Sequence, residues 1–361
     1  MRANESGTIP FSSLERILLR GTNWIGDVVM TLPAIRAVRR SAPRARITIL
    51  VKPWVADLLR ICPDVDEVMI YESPGIHGGL QGKWHLAQAL KKRDFQAAVL
   101  LQNAIEAAIL ARLAGIPVRG GYDTDGRRLL LTHPVRRTKE ILKRHQIHYY
   151  VEMVGALGCT DAGRDIRLSP GPNYGAIAKN VLGRYGMKED APLLGIAPGA
   201  TYGPAKMWLA DRFALAADRL AADFGLRTVL FGSRADRPVA EAVARHGKTP
   251  MANLAGTTTL EEAMAVLSRC RLFLSNDSGL MHLAGAFGIP LVAVFGSTNP
   301  RTTSPVGEKS VVVTKNVSCS PCLKKTCPTD FRCMEGITVE DVCRAAADLL
   351  AAKPDRTDLF R

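Results

Sequence analysis

Residues 271–300, RLFLSNDSGLMHLAGAFGIPLVAVFGSTNP, leave this chain few folds to choose from. Leu272, Phe273 and Leu274 form one apolar run and residues 291–295 form another. Both are short and lack a polar face, the pattern of strands buried in a parallel sheet. The segment between them must then be a helical crossover, which places the unit in the α/β class. Asp277, Ser278 and Gly279 stand where that helix begins, and Pro290 marks where it has ended. An Asp or Ser there caps the helix, and a Gly lets a ligand approach the backbone. The free N–H groups of the first turn suit a phosphate, and His282 lies on that turn. Ordinary capping and a packed histidine explain the same residues, so the turn alone leaves both readings open.

The same alternation runs through the rest of the chain. Residues 1–14 are polar and read as loose. Strands are expected at 16–21, 47–51, 67–71 and 97–102, with helices at 28–40, 56–62 and 104–114. The glycine-rich segment between Glu72 and Trp84 reads as a mobile connection or an acceptor-gripping lid after a strand. A composition shift at 168–174, LSPGPNY, reads as a linker. The alternation then restarts, with strands at 193–197 and 227–231 and helices at 209–224 and 238–246. Thr259 with Glu262, and Thr338 with Asp341, have capping-box spacing for helices 260–268 and 339–352. Two doubly wound domains in tandem, with a cleft between them, follow: 15–172 and 173–361. Helix 339–352 is a candidate to pack back on the first domain.

Charge narrows the partners. The chain of 361 residues has 48 Lys and Arg against 34 acids, a net charge of +14. The excess is concentrated between Arg119 and His145, in Arg119, Arg127, Arg128, Arg136, Arg137, Lys139, Lys143 and Arg144. Such a run is either a solvated face or a patch for a polyanion. Nucleic acid is disfavoured, because no helix-turn-helix or zinc-finger pattern is present and few aromatics lie among the charges. No run reaches the roughly 18 apolar residues of a membrane span. The start, MRANESGTIPFSSLER, has no apolar core of a secretory signal, so a cytoplasmic location is expected.

Two further loops follow strands. In Gly21-Thr-Asn-Trp-Ile-Gly26-Asp27, two glycines hold a strand-to-helix turn open. Asp27 is either the helix N-cap or, if Pro33 delays the helix, a carboxylate free to act as a base. In Ala197-Pro-Gly-Ala-Thr-Tyr-Gly-Pro-Ala-Lys206-Met-Trp208, Thr201 offers a hydroxyl and Lys206 a point charge to a phosphate. A surface loop with an exposed Lys is the alternative. The spacing is not that of a P-loop.

With these residues in view, LRGTNWIGDVVMTLPAIR, PGATYGPAKMWL and SNDSGLMHLAGAFGIPLVAVFGSTNP resemble the motifs of the ADP-heptose:lipopolysaccharide heptosyltransferases, glycosyltransferase family 9. Their wording is most similar to the heptosyltransferase II branch. The resemblance spans about 16–350 and implies the GT-B fold, two Rossmann-like domains facing across a cleft. It implies an inverting transfer of heptose from ADP-heptose to heptosyl-Kdo2-lipid A, with Asp27 as general base. Lys206 and the helix start at Ser278 and Gly279 would stabilise the leaving ADP. Asp277 would hold sugar hydroxyls, and His282 would face the phosphates or ribose. Thr201 matches a donor-loop hydroxyl, and Asp236 and Thr258 fall near ribose- and adenine-binding positions. Arg127, Arg136, Arg137 and Arg144 would receive the anionic glycolipid at the inner face of the membrane. No cofactor is implied, and a monomer is expected. The alternatives are heptosyltransferase I or III, a non-catalytic nucleotide-sugar or glycolipid binder, and a zinc-bearing nucleic-acid binder.

Two signals stand outside that pattern. Asp64-Val-Asp66 and Asp123-Thr-Asp125 have the D-x-D spacing of metal-dependent transferases, but the first precedes a strand and the second lies in the basic segment, and no catalytic metal is expected. Cys319, Cys322, Cys327 and Cys333 place four of the eight cysteines within fifteen positions. A structural metal is conceivable there, and a local cross-link or packed thiols bracing a loop is the favoured reading. Cys62, Cys159, Cys270 and Cys343 are isolated and read as core.

Overall fold

The computed structural model describes residues 7–352. They form two compact units, one ending at Ile166 and the other beginning at Arg167. The break falls ahead of 168–174 because Leu168 is buried and its N–H donates to Ala286 O at 2.9 Å, inside the second unit.

The first unit carries strands β1 (Arg16–Arg20), β2 (Arg46–Val51), β3 (Glu67–Ile70), β4 (Ala97–Leu100), β5 (Val118–Tyr122) and β6 (His133–Val135). Its helices are α1 (Ile25–Ser41), α2 (Ala56–Arg60), α3 (Gly79–Lys91), α4 (Ile105–Leu113) and α5 (Gln146–Ala156). The second unit begins with α6 (Tyr174–Gly183), β7 (Leu193–Ala197), α7 (Ala210–Phe224), β8 (Arg227–Leu230), α8 (Arg237–His246) and β9 (Met251–Asn253). It continues with α9 (Leu260–Leu267), β10 (Cys270–Asn276), α10 (Gly279–Ala286), β11 (Leu291–Phe295), α11 (Pro300–Thr303), β12 (Ser310–Thr314), α12 (Arg332–Glu335) and α13 (Val339–Ala351).

Both sheets are parallel and six-stranded, in the orders β3-β2-β1-β4-β5-β6 and β12-β11-β10-β7-β8-β9. Counted from its own first strand, each reads 3-2-1-4-5-6, the doubly wound order of Rossmann domains. Each sheet therefore has one place where the strand order reverses, between β1 and β4 and between β7 and β10. Ligands of open α/β sheets settle at that place, beyond the carboxyl ends of the strands.

The central strands β1, β4, β7 and β11 are buried almost along their whole length, which explains their unbroken apolar runs. Between β10 and α10 the unit at 271–300 folds as its sequence requires.

Several elements differ from the sequence reading. Helix α1 starts at Ile25 and runs through Pro33, so Asp27 sits inside its first turn and is not the N-cap. A mid-helix proline costs about 3 kcal/mol. Helix α1 also buries Val28, Val29, Met30, Leu32, Ile35 and Val38. Such side chains contribute roughly 1.5–3 kcal/mol each, which outweighs the proline. The stretch after Glu72 is a loop only to Gly78, because α3 begins at Gly79. Residues 7–14 are anchored: Ile9 and Phe11 are buried, and Ile9 N–H donates to Leu157 O at 2.8 Å. The segment 1–6 lies outside the described residues, as does 353–361. The apolar stripe of α13 is used in its own unit, where Val342 and Ala346 join the core and Val339 and Leu349 pack against it. Both capping boxes, Thr259 with Glu262 and Thr338 with Asp341, are formed.

Candidate active site

In the second unit the reversal point is filled by two loops. Residues 198–209 leave β7, and residues 277–278 leave β10 to start α10. Asn276, at the end of β10, ties them together. Its Nδ2 donates to Pro198 O at 2.7 Å, and its Oδ1 accepts from Trp208 N–H at 2.8 Å. The first loop is thus held at both ends by one buried amide. Trp208 itself is buried against Phe213 and donates its indole N–H to Ile337 O at 3.1 Å.

This frame brings Lys206 and Asp277 together. Lys206 Nζ lies 2.6 Å from Asp277 Oδ2, with the two side chains only 14% and 6% exposed. Thr298 Oγ1, from the loop after β11, donates to the same carboxylate oxygen at 2.7 Å. The ammonium also stands 5.0 Å from the ring centre of Tyr202. A charge-assisted hydrogen bond with this little solvent holds its geometry firmly. Asp277 Oδ2 is therefore engaged with Lys206 and Thr298.

Helix α10 begins beside this pair. Ser278 is its N-cap residue, in extended conformation, and makes no side-chain cap bond. Its Oγ lies 3.0 Å from Ser275 Oγ. Every α10 residue from Met281 to Ala286 is buried, His282 included. Ser278, Gly279 and Leu280 are half-buried, so the helix meets its surroundings at its amino end.

The remaining donor-loop residues surround this core differently. Thr201 is exposed on the turn before Lys206. Asp236 Oδ2 accepts from Ser233 N–H at 2.8 Å and Ser233 Oγ at 2.7 Å, closing a capping box ahead of α8. Its other oxygen faces Gly199, where a Cβ would lie 2.1 Å away. Only glycine fits there. Thr258 is half-buried just before α9.

The cysteine segment braces this loop. Ala205 N–H donates to Lys325 O at 3.0 Å, and Tyr202 OH donates to Leu323 O at 2.8 Å. A Cβ at Gly203 would stand 2.4 Å from Lys325 O. Cys319, Cys322, Cys327 and Cys333 line a cavity of about 170 Å³ with Ala205 and Ser297. All four are free thiols. Among the described residues, no group of three or more His, Cys, Asp or Glu side chains is arranged to hold a metal ion.

In the first unit, Asp27 is half-buried on α1 and acts electrostatically on the buried phenol of Tyr150 on α5. The partial positive charge of a helix's first turn favours an ionised carboxylate there. Three of the four D-x-D carboxylates are engaged in ion pairs. Asp64 pairs with Arg36 at 3.2 Å, Asp66 with Arg39, and Asp123 with Arg128 at 3.6 Å.

The basic segment divides into two kinds of residue. Arg127 is fully buried. Its Nε donates to Tyr122 O at 2.7 Å, Nη2 to Asn103 Oδ1 at 3.1 Å, and Nη1 to Gln102 O. Burial lowers its pKa to about 10. It braces the loops after β4 and β5 and is no acceptor ligand, which corrects the sequence reading. Arg144 is exposed but paired with Glu152 and within 3.0 Å of His148 Nδ1. Arg136 and Arg137 are exposed. The segment also holds the strands β5 and β6, which its charge and glycines concealed.

Sequence reasoning missed Asn276 and Thr298. Both stand at the carboxyl ends of adjacent strands, and that position was the available signal.

Two Rossmann domains of one topology, with a cation and a helix amino end at the second reversal point, define the GT-B class of nucleotide-sugar glycosyltransferases. The profile of glycosyltransferase family 9 (heptosyltransferase) matches residues 83–331. The chain belongs to that family. It is 30% identical over 308 residues to lipopolysaccharide heptosyltransferase 2 of Escherichia coli K12, covering 82% of this chain and 87% of the relative. The solved ADP-heptose LPS heptosyltransferase II of E. coli superposes with a TM-score of 0.80 at 27% identity, covering 93% of this chain and 98% of that one. A family 9 glycosyl transferase from Veillonella parvula has the same fold, with a TM-score of 0.83 at 24% identity, over 95% and 99% of the two chains.

Proposed function

We propose that this glycosyltransferase moves heptose from ADP-L-glycero-D-manno-heptose to the heptosyl-Kdo2-lipid A inner core of lipopolysaccharide. The observation that carries the reading is the Lys206–Asp277–Thr298 cluster beside the amino end of α10, in a chain of family 9. In this reaction the Asp27 carboxylate takes the proton of the acceptor hydroxyl. The acceptor oxygen bonds to the anomeric carbon, and the bond from that carbon to the diphosphate oxygen breaks. The electron pair leaves with ADP, and the anomeric centre is inverted.

Lys206 meets the charge that develops on the leaving diphosphate, and the N–H groups at Ser278 and Gly279 join it. The donor's phosphates compete with Asp277 for that ammonium, and Thr298 keeps Asp277 hydrogen-bonded when they do. Thr201 and His282 complete the diphosphate surroundings, and Asp236 and Thr258 stand on the nucleoside side. No metal or cofactor enters this scheme.

The acceptor is an anionic glycolipid, so we place the enzyme, as a monomer, at the cytoplasmic face of the inner membrane. Among the described residues, no helix is long and apolar enough to cross a membrane. Exposed Arg136 and Arg137 supply the attraction to the acceptor. Charge reversal at both (R136E/R137E) is expected to raise the KM for acceptor roughly tenfold or more, with the KM for ADP-heptose unchanged. Equal losses for both substrates would remove the patch from acceptor binding.

The deciding experiment is a transfer assay with ADP-heptose against Kdo2-lipid A carrying no heptose or one. Product is expected with the monoheptosylated acceptor. Transfer to the heptose-free acceptor alone would overturn the assignment of the step.

A further inference from the structure

The carboxyl ends of β1, β2 and β3 hold a charge cluster with no part in the mechanism above. Arg20 ends β1, Lys52 follows β2, and Tyr71 follows β3. All three are nearly inaccessible, at 3%, 8% and 1%. Both cations lie against the same phenol ring: Arg20 Cζ is 5.2 Å from its centre and Lys52 Nζ is 4.0 Å. Tyr71 OH donates to Glu106, whose other oxygen pairs with Lys83 at 2.9 Å. The charged groups acting on Lys52 are Arg20, Glu106 and Lys83. One carboxylate thus faces three cations, and Lys83 already engages it.

Arg20 and Lys52 are left with neutral acceptors. Arg20 donates to Gly21 O at 2.5 Å, Leu50 O at 3.2 Å and Asn23 Oδ1 at 3.3 Å, and Lys52 donates to Ser73 O at 2.5 Å. The buried Nε of Arg20 has no hydrogen-bond partner among the described residues. Burial and the neighbouring Arg20 both push the Lys52 pKa down. Two buried positive charges that share one carboxylate with a third cation are under-compensated, which is costly, and a bound anion lowers that cost.

An aromatic face stands beside the cations. Trp54 is 48% exposed, and its ring centre is 5.9 Å from Lys52 Nζ. Its indole N–H donates to Asn23 O at 2.7 Å, which fixes the ring. Trp24 is 58% exposed on the same loop. An exposed, fixed indole beside a cation offers the C–H face of a sugar a stacking surface and its acidic substituent a partner. Asn23 ties the cluster to the 21–27 turn that carries Asp27.

We propose that Lys52 and Arg20, with Trp54 as stacking face, form a subsite for one acidic sugar, its charge being a carboxylate or a phosphate. The inference rests on the proposed acceptor in taking that sugar to be part of the substrate. Lys52 makes the contact, and Arg20 supplies the field behind it.

The test has one arm that needs no transfer. Titration of the full chain with glucose 6-phosphate and with glucuronate, read by tryptophan fluorescence, is expected to show saturable binding of at least one of them. Binding is expected to weaken about tenfold in Lys52→Gln and to recover in Lys52→Arg, while glucose shows none. Response to neither acid, or an equal response in Lys52→Gln, would overturn the subsite whatever the enzyme transfers.

The second arm is kinetic. Lys52→Gln is expected to raise the KM for acceptor about tenfold and leave the KM for ADP-heptose unchanged. If the group is a phosphate, a dephosphorylated acceptor abolishes the difference between the wild type and the variant. If it is a carboxylate, the difference persists. An unchanged acceptor KM in Lys52→Gln would overturn the subsite while leaving the proposed transfer intact.

Discussion

Asp27→Asn is expected to lower kcat by about 10²–10⁴ while ADP-heptose still binds with near-wild-type affinity. General-base catalysis contributes a factor of that size. The amide has nearly the shape of the carboxylate but cannot take the proton. Asp27 lies inside α1, whose cap residue is Trp24, so the substitution removes no cap bond from Asp27. The fold should therefore survive, and the split between rate and donor affinity can be read directly. Donor affinity is measured by calorimetry and turnover by release of ADP with saturating acceptor. An unchanged rate would remove Asp27 as the base, and a parallel loss of donor binding would make its role structural.

Lys206→Ala should have an effect of similar size by a different route. Removing one preorganised charge from a leaving group costs about 10²–10³ in kcat. It also leaves the Asp277 carboxylate, 6% exposed, with the Thr298 hydroxyl hydrogen-bonded to it but no cation. Breaking a buried pair costs roughly 3–5 kcal/mol, so this variant is expected to melt at a lower temperature as well. Lys206→Arg separates the two effects. A retained cation should restore the melting temperature while the planar guanidinium, differently placed, restores only part of the rate. Wild-type kcat in a folded Lys206→Ala would eliminate the proposed role.

The two variants probe residues that became legible by different means. Asp27 and Lys206 stand in segments that the sequence itself places just after apolar strands. The carboxyl end of a parallel strand is a site position in any α/β sheet. The pairing of Lys206 with Asp277 was not legible, because the residues are 71 positions apart and each stands in sequence as an isolated charge. Arg127 shows the converse. In sequence it belongs to a basic run, and in the fold its guanidinium is buried on carbonyls 5 to 25 positions away.

What the sequence determined by itself is the local periodicity: two series of apolar runs and helical stripes, two capping boxes, and the glycine-bearing turns between them. Those follow from interactions within a few residues, and neighbours in sequence carry them. Tertiary structure decided the rest. It kept Pro33 inside α1, because burial against the core outweighs one lost backbone bond. It put the charged, glycine-bearing strand β5 beside β4 and the short β6 beside β5, where pairing makes up for a weak pattern. It also gathered Arg20, Lys52 and Tyr71 from three strand ends. A side chain's charge is written in the sequence, but its solvent exposure and its partner depend on which strands lie side by side, and the sheet order alone decides that.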